Sequence, residues 1–558
     1  MTNASNAAVR RKLAGQYEEA RALFGVGDLP RAQVILEGIL RSAPGHSPSL
    51  HFLGLIAVRN GDKRSAVELF ARSVSADPHN AIALYCHGQT LHELGDMVGA
   101  LASLGRAIAV NHDYAEAYFW RANSLLQLGR FDEALQDYGR AVAIRDDFAE
   151  AHLNRGSLLA QLYRLDAALL STERALSLLP DSPDARLNYG NVLRELGRFD
   201  VALRHYDSLI AAHPDFAAAY CNRAYTLLLL GQYERGWSDH EWRLRNPHSA
   251  AFLNGARFDR PRWLGTESLK DRTILIYGEQ GLGDNIQFCR YAPLLAEAGA
   301  RVIIEVPRAL RSLVSTADGV SEVVARGDRL PEFDCHCPLM SLPHAFRSTL
   351  GSIPARVPYL KADRDKVRRW SELLLRTGKL RVGIVWSGGF RADQPRVWPV
   401  NARRNIALAQ LASLGNPAVE FVSLQVGEPA TSELAQQTAS GENKLPLIDH
   451  TRMLDDFSDT AALIENLDLV IAVDTSVAHV AGALGKPVWL LNRYDTCWRW
   501  LLQRQDSPWY PTAKIYRQQR PGDWGEVLRR VSADLGKVLD ARGHGVPTAT
   551  AVAKSFGR

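Results

Sequence analysis

The chain has 558 residues, too many for one hydrophobic core, so several domains are expected. An apolar share of 46% and a charged share of 23% are ordinary for globular protein, and a net charge of +5 without any basic run gives no argument for nucleic acid or an acidic membrane surface as partner. No apolar stretch reaches the ~18 residues a transmembrane helix needs, and Met1 to Arg11 lacks the apolar centre of a signal peptide. The six scattered cysteines read as free thiols of a reducing compartment, so a cytoplasmic location is expected.

After an N-terminal extension, residues 1–12, the chain becomes periodic. A small residue recurs every 34 positions at Ala20, Gly54, Gly88, Ala122, Gly156, Gly190 and Ala224. Another follows at Ala32, Ala66, Ala100, Ala134, Ala168, Ala202 and Gly236. Breaks such as Leu94-Gly95, Leu128-Gly129, Leu196-Gly197 and Leu230-Gly231 split each unit into two helical patterns, and small residues let the two helices of a hairpin approach closely. The pattern is similar to the tetratricopeptide repeat. It implies an α-solenoid over residues 13–236, with six full units and a seventh started from Ala217. Stacked pairs present a concave groove, expected to take a peptide, a protein or a second copy of the chain; a spacer or dimerisation arm is the alternative. Asn154, Asn188 and Asn222 recur at one repeat position and Arg121, Arg155 and Arg223 beside it, a ladder suited to peptide backbone.

The bridge, residues 237–271, carries Trp237, Trp242, Phe258 and Trp263. It is too apolar for a free linker and is expected to pack the last repeat against the next domain. Then the period changes to strands alternating with helices, hence a parallel sheet. Thr273 to Gly278 reads as a strand, Glu279 to Asp284 as a Gly-rich turn and Asn285 to Ala298 as a helix. Strands follow at Val302 to Val306, Val320 to Ala325 and Phe333 to Cys337, completing a half over 272–360. Gly278, Gly281 and Gly283 lack the spacing of the dinucleotide fingerprint, so a nicotinamide cofactor is not supported. In Cys335-His336-Cys337 alternating strand faces are expected rather than a metal site, because no second ligand pair has matching spacing. A charged connection, 361–379, contains Asp363-Arg364-Asp365, read as a helix cap.

A second half over 380–540 starts at the strand Arg381 to Trp386 and its turn Ser387-Gly388-Gly389. Strands are expected at Val419 to Leu424, Pro446 to Ile448, Leu467 to Val473 and Val488 to Leu491. The last helix, Gly525 to Leu539, is expected to cross back onto the first half. Trp498, Trp500, Trp509 and Tyr510 either pack that helix or wall a cleft. The tail, 541–558, is small and polar and is expected to be disordered.

Asp474, Thr475 and Ser476 sit where a buried strand ends and a small-residue helix, closed by Gly485 and Pro487, begins. Open α/β sheets bind ligands at that edge, and a helix N-terminus favours phosphate. His479 would lie one turn into the helix. With Gly281-Leu282-Gly283-Asp284, this stretch resembles the heptosyltransferase-type glycosyltransferases of family nine, which have two Rossmann-like domains in the GT-B arrangement. Together with the repeats, the chain resembles bacterial repeat-containing glycosyltransferases and is similar in layout to O-linked N-acetylglucosamine transferases.

The resemblance implies sugar transfer from a nucleotide-sugar donor to an acceptor hydroxyl of a protein or a surface glycan, in an inverting reaction that uses neither metal nor bound cofactor. It implies Asp284 as the base, next to the Gly281 and Gly283 turn, and a donor pocket lined by Asp474, Thr475, Ser476 and His479. Ser476 stands where the heptosyltransferases usually have Gly. Arg403 or Arg404 would offset the leaving diphosphate, and Gln425 and Glu428 would meet the ribose or base. The alternative is a repeat scaffold whose transferase half binds nucleotide without turnover.

Overall fold

The computed structural model describes residues 2–246, 258–375, 377–441, 445–547 and 550–552, the side chains of residues 2–10 and of Arg396 excepted. They form two compact units, residues 1–192 with 392–398, and residues 193–391 with 399–558. Part of the expected bridge, 247–257, and most of the expected tail, 548–549 and 553–558, lie outside the described residues.

The first unit is a run of helical hairpins beginning Thr2–Gly25 with Leu29–Ser42 and Ser47–Arg59 with Lys63–Ala76, and continuing to Ala149–Gln161 with Leu165–Leu178. The first helix already starts at Thr2, so residues 2–12 are part of the array rather than an extension ahead of it. The small positions are steric requirements. A Cβ at Gly54 would lie 2.5 Å from the Phe70 ring, one at Gly88 2.6 Å from Leu104 and one at Gly156 2.6 Å from Thr172, each on the partner helix of its hairpin. Turn glycines 27, 61, 95 and 129 have positive φ, and Tyr163 holds the same place at φ 60. Asp28, Asp62 and Asp96 cap the second helices through the N–H groups of Arg31, Ser65 and Gly99. Residues 392–398 belong to this unit, and the Trp398 indole covers Gly129, where a Cβ would lie 2.6 Å from the ring.

Two arginines of the expected ladder brace this unit from inside. Arg121 makes a two-pronged contact with Asp137, and Arg155 donates to Ser171. Asn154 donates to Asn123, which also accepts from Tyr138.

The second unit begins with the last helices of the array, Phe199–Ala212 and the hairpin Ala217–Leu229 with Tyr233–His240. Arg223, third of the ladder, is tied to Asp207 and Asp239. Two parallel sheets follow. In the first, β1 (Thr273–Tyr277), β2 (Arg301–Val306), β3 (Glu322–Ala325) and β4 (Cys335–Pro338) lie in the order β3-β2-β1-β4. In the second, β5 (Leu380–Val385), β6 (Val419–Ser423), β7 (Leu447–Ile448), β8 (Leu469–Val473), β9 (Val488–Asn492) and β10 (Ala513–Arg517) lie in the order β10-β9-β8-β5-β6-β7. β10 escaped the sequence reading because Lys514 and Arg517 interrupt its apolar run, as an edge strand allows. In β4 the faces alternate as expected: Cys335 and Cys337 are buried in the core, and His336 packs on Phe258. Asp363 caps the helix Arg364–Leu373 by accepting from Asp365 and Lys366 N–H.

One continuous core joins the facing sides of both sheets. It runs from Leu228, Tyr233 and Trp237 of the last hairpin through Ile274, Ile304 and Phe288 to Val385, Ala472 and Leu490. A second core covers the outer face of the second sheet. Two expectations change here. The last helix, Trp524–Gly543, buries Trp524, Val527, Val531 and Leu535 in that second core and stays with its own half instead of crossing over. Trp498, Trp500 and Trp509 pack in the first core, with Trp237 edge-on to Trp498 at 5.2 Å, so they do not serve the last helix. Within the expected disordered tail, Ala551 and Val552 are buried in the second core, since both are small and apolar enough to fill it.

Gly54→Val adds bulk beside Phe70 and should destabilise the array by about 1–3 kcal/mol, as overpacking does. Urea unfolding followed by helical circular dichroism should show an earlier midpoint with native helix content retained; an unchanged midpoint would contradict the steric account.

Candidate functional site

In the second sheet β5 and β8 are neighbours, but the chain leaves β5 towards β6 on one side and β8 towards β9 on the other. That reversal opens a crevice at the carboxyl ends of the two strands. Trp386 to Gly389 leaves β5 there, and Asp474 to Ser476 leaves β8. Gln425, at the end of β6, fixes the β5 exit by accepting from the N–H groups of Trp386 and Ser387 at 3.2 and 2.9 Å.

The matching edge of the first sheet supplies Glu279 to Asp284 after β1. The helix Leu282–Phe288 then packs directly against the helix Ser476–Ala483. Gly283 is the point of closest approach: a Cβ there would lie 2.7 Å from Cδ2 of His479. The two turns singled out in the sequence, almost 200 residues apart, therefore meet. A cavity of about 720 Å³ opens beside them, lined by Gly281, Gly283 and Asp284 from one half and by Asp474, Thr475, Ser476 and His479 from the other. A second cavity of about 340 Å³ shares Leu282, Gly389, Thr475 and Ser476 with it and is lined further by Val385, Gln425 and Phe457.

Charge distinguishes the larger cavity. Six arginines line it, Arg243, Arg326, Arg391, Arg404, Arg493 and Arg499, against the three carboxylates of Glu279, Asp284 and Asp474. Arg404 reaches in past Gly388, where a side chain would collide with its guanidinium, and bonds only carbonyl oxygens, those of Asp474 and Gly389. Its Nε is buried without a hydrogen-bond partner, and burial pulls its pKa below the ordinary range against the opposing pull of Asp474. Arg403 is turned away and pairs with Asp495 at 2.8 Å, so of the two expected arginines only Arg404 lines the cavity. Thr475 Oγ1 is also buried without a partner, at the wall both cavities share.

Glu428 lies outside both cavities. It is exposed and caps the helix Ala430–Ser440 through Thr431. Gln425 reaches only the smaller cavity. Asp284 is engaged twice, accepting the Gly281 N–H at 2.8 Å on one oxygen and forming an ion pair with Arg499 on the other. Burial opposes the Arg499 charge, but Asp284 outweighs it and holds the guanidinium above its ordinary range. Arg499 also donates to Gln287 at 2.7 Å. Sequence reasoning missed it, although an arginine flanked by Trp498 and Trp500 was a usable signal for a buried charge.

Family models for tetratricopeptide repeats match residues 17–81, 88–162 and 187–236, and the model described as glycosyltransferase family 9 (heptosyltransferase) matches residues 392–519. The chain carries tetratricopeptide repeats and a C-terminal glycosyltransferase family 9 domain. Protein FlbA of Caulobacter vibrioides is 26% identical over 323 residues, which is 54% of this chain and 52% of that one. The chain thus spans about half the length of this curated relative. Among solved structures, YrrB, a tetratricopeptide repeat protein with an unusual peptide-binding site, is 25% identical and covers 30% of this chain and 88% of its own, with a TM-score of 0.29. A tetratricopeptide repeat protein from Parabacteroides merdae is 20% identical and covers 41% of this chain and 91% of its own, with a TM-score of 0.34.

The family 9 match starts at Ala392, so it takes in Arg404, Asp474, Thr475, Ser476, His479 and Arg499 but not the Asp284 turn. Among the described residues no group of three or more His, Cys, Asp or Glu is placed to hold a metal ion, and no helix is long and apolar enough to cross a membrane.

On the opposite wall Glu279 receives Arg243 Nε at 2.8 Å and Nη2 at 3.1 Å, and Arg243 also binds Glu241 and Ser341. Burial pushes the Glu279 carboxyl up to about 7 against the pull of Arg243. The folded carboxyl therefore holds its proton to higher pH than an unperturbed one, which loses it near 4.5. In that window the folded chain binds more protons, so this group's contribution to stability falls as pH rises. Glu279→Gln should flatten that segment of the urea-stability curve; an unaltered slope would show that Glu279 titrates elsewhere.

Proposed function

We propose that the family 9 domain is an active glycosyltransferase that moves a sugar from a nucleotide-sugar donor to an acceptor hydroxyl in a GT-B arrangement. The observation that carries this reading is the confrontation of the Asp284 and His479 turns across one arginine-lined cavity. The nucleoside would occupy the smaller cavity beside Gln425, with its diphosphate at the shared wall of Gly389, Thr475 and Ser476. Arg404 would offset charge on the leaving diphosphate, the task a metal ion performs in other transferases. The Thr475 hydroxyl and the N-terminal N–H groups of its helix would bind phosphate oxygens. Asp474 would orient the turn, since a carboxylate repels a diphosphate.

Asp284 is the candidate base of an inverting, metal-independent transfer. It stands on the acceptor side of the cavity, where a carboxylate can take the proton of an attacking hydroxyl. Its ion pair with Arg499 must loosen for that role. A diphosphate competing for Arg499 would do so, which would couple donor binding to release of the base. The double engagement of Asp284 also favours a second reading, in which the turn is a structural cap and the chain is a nucleotide-binding scaffold. The repeats would recruit a protein or glycan acceptor, or tether the chain to an assembly.

Thermal-shift titration with adenosine, uridine, guanosine and cytidine diphosphates and their sugars tests the reading. Wild-type chain should be stabilised selectively by one nucleotide series, and Arg404→Ala should weaken that response about tenfold or more, the loss expected of a charge-assisted hydrogen bond. Donor hydrolysis or transfer should fall at least a hundredfold in Asp284→Asn, the scale of general-base catalysis. Nucleotide binding with no turnover in either protein would favour the scaffold.

A further inference from the structure

His479 is enclosed on all but one edge. Trp500 stacks on its ring with centroids 5.6 Å apart, Gly283 lies against Cδ2, and Nδ1 is 2.8 Å from the Tyr510 hydroxyl. Nε2 is left on the edge beside Gly283, at the cavity wall. What Nε2 can do depends on where the imidazole proton resides, and the groups behind Tyr510 decide that.

Arg290 is buried behind the pair. It donates to the carbonyls of Gln287 and Trp509 and, at 2.9 Å, to the Tyr359 hydroxyl, and its guanidinium lies 4.6 Å from the centre of the Tyr510 ring. The Tyr359 hydroxyl has one proton, and the Ile286 carbonyl at 3.0 Å, which can only accept, takes it. Two acceptors remain for the Tyr510 proton: the Tyr359 oxygen at 3.4 Å, already bonded by a cation, and His479 Nδ1 at 2.8 Å. Distance and charge both select Nδ1. An Nδ1 that accepts leaves the single proton of a neutral imidazole on Nε2.

We propose that Tyr510 is a positioning residue that fixes His479 as the Nε2–H tautomer, a neutral hydrogen-bond donor into the cavity rather than a proton acceptor. Burial supports the neutral form by pushing the His479 pKa down to about 3, with Arg499 and Arg290 acting the same way and Asp474 against them. Gly482 has a companion role, because a Cβ there would lie 2.4 Å from Tyr510 and displace its ring. If the cavity holds a nucleotide-sugar as proposed above, on which this part rests, Nε2–H binds a non-bridging oxygen of the leaving diphosphate. No proton is transferred; the donor stabilises charge as the bond to the sugar breaks. It also follows that His479 cannot serve as the base, which leaves that role to a carboxylate.

The test uses full-length chain labelled with 15N-histidine, with two-bond 1H–15N spectra and the His479 signals identified by their loss in His479→Gln. Wild type should show an acceptor-type Nδ1 and a protonated Nε2, unchanged between about pH 6 and 8. Tyr510→Phe keeps the ring but removes the donor, and should move His479 to a tautomer mixture or to Nδ1–H. An Nδ1–H tautomer or an imidazolium in the wild type, or an unaltered Nε2–H pattern in Tyr510→Phe, overturns the proposal. Binding of the nucleoside diphosphate selected above should weaken about tenfold in Tyr510→Phe, the loss of one hydrogen bond to an anion; equal affinity overturns the link from tautomer to ligand. A wild type that shows the expected tautomer yet binds no nucleotide defeats the donor-site reading and leaves the tautomer assignment standing.

Discussion

The constraint on which the site depends is the absence of a side chain at Gly283. The helix Leu282–Phe288 and the helix Ser476–Ala483 begin at the ends of β1 and β8, in different sheets, and they meet where Gly283 faces His479. Any Cβ there would push the helices apart, and with them the carboxylate of Asp284 and the turn of Thr475. The small residues of the second helix, Ala478, Ala481, Gly482 and Ala483, serve the same end by letting it sit deep in the core that both sheets share. Close packing of the two halves and construction of the cavity are one structural event. The site is positioned by core residues, while its charged groups line the opening that the packing leaves.

That arrangement explains how six arginines are tolerated in one cavity. Three are held in place by carboxylates: Arg243 by Glu279 and Glu241, Arg499 by Asp284, and Arg493 by the neighbouring Asp495. Arg404, like Arg326 on the Gly278 carbonyl, bonds backbone carbonyls alone, and no bonded carboxylate neutralises its charge. In a partly buried site an uncompensated charge is costly, and a phosphate group is what would balance it. The distinction between Arg403 and Arg404 follows from this. They are adjacent in sequence, but the chain turns Arg403 onto Asp495 and leaves only Arg404 facing the opening.

Much of the fold could be read from periodicity. The 34-residue repeat located the hairpins because it records a steric rule, that no bulk fits at Gly54, Gly88 or Gly156. The strands β1, β5, β8 and β9 were legible as short apolar runs, and the two site turns were legible because a strand gives way to small and polar residues at a helix start. The failures share a cause. The contacts of Glu428, Arg403 and the last helix are set by which face of an element meets which neighbour, and local sequence does not encode that. Glu428 sits at a strand exit like Gln425, but its carboxylate satisfies the start of its own following helix. Arg499 and Glu279 were missed as site residues, and Tyr510 was left between cleft and core, because their contacts come from partners some 30 to more than 200 residues away.

The end of the repeat array is not an appendage to the site. Trp237 of the last hairpin packs edge-on against Trp498, and Arg243, one turn beyond that hairpin, lines the cavity and holds Glu279. Arg499 lies next to Trp498 in the chain and grips Asp284. A short mechanical path therefore runs from the last hairpin to the candidate base through Trp237, Trp498 and Arg499, all inside one compact unit. Such packed aromatic contacts leave no flexible linker between this hairpin and the Arg499–Asp284 ion pair. This gives a physical reason for the last repeat to be fused into the second unit: the hairpin that ends the array also packs against the residues that hold Asp284.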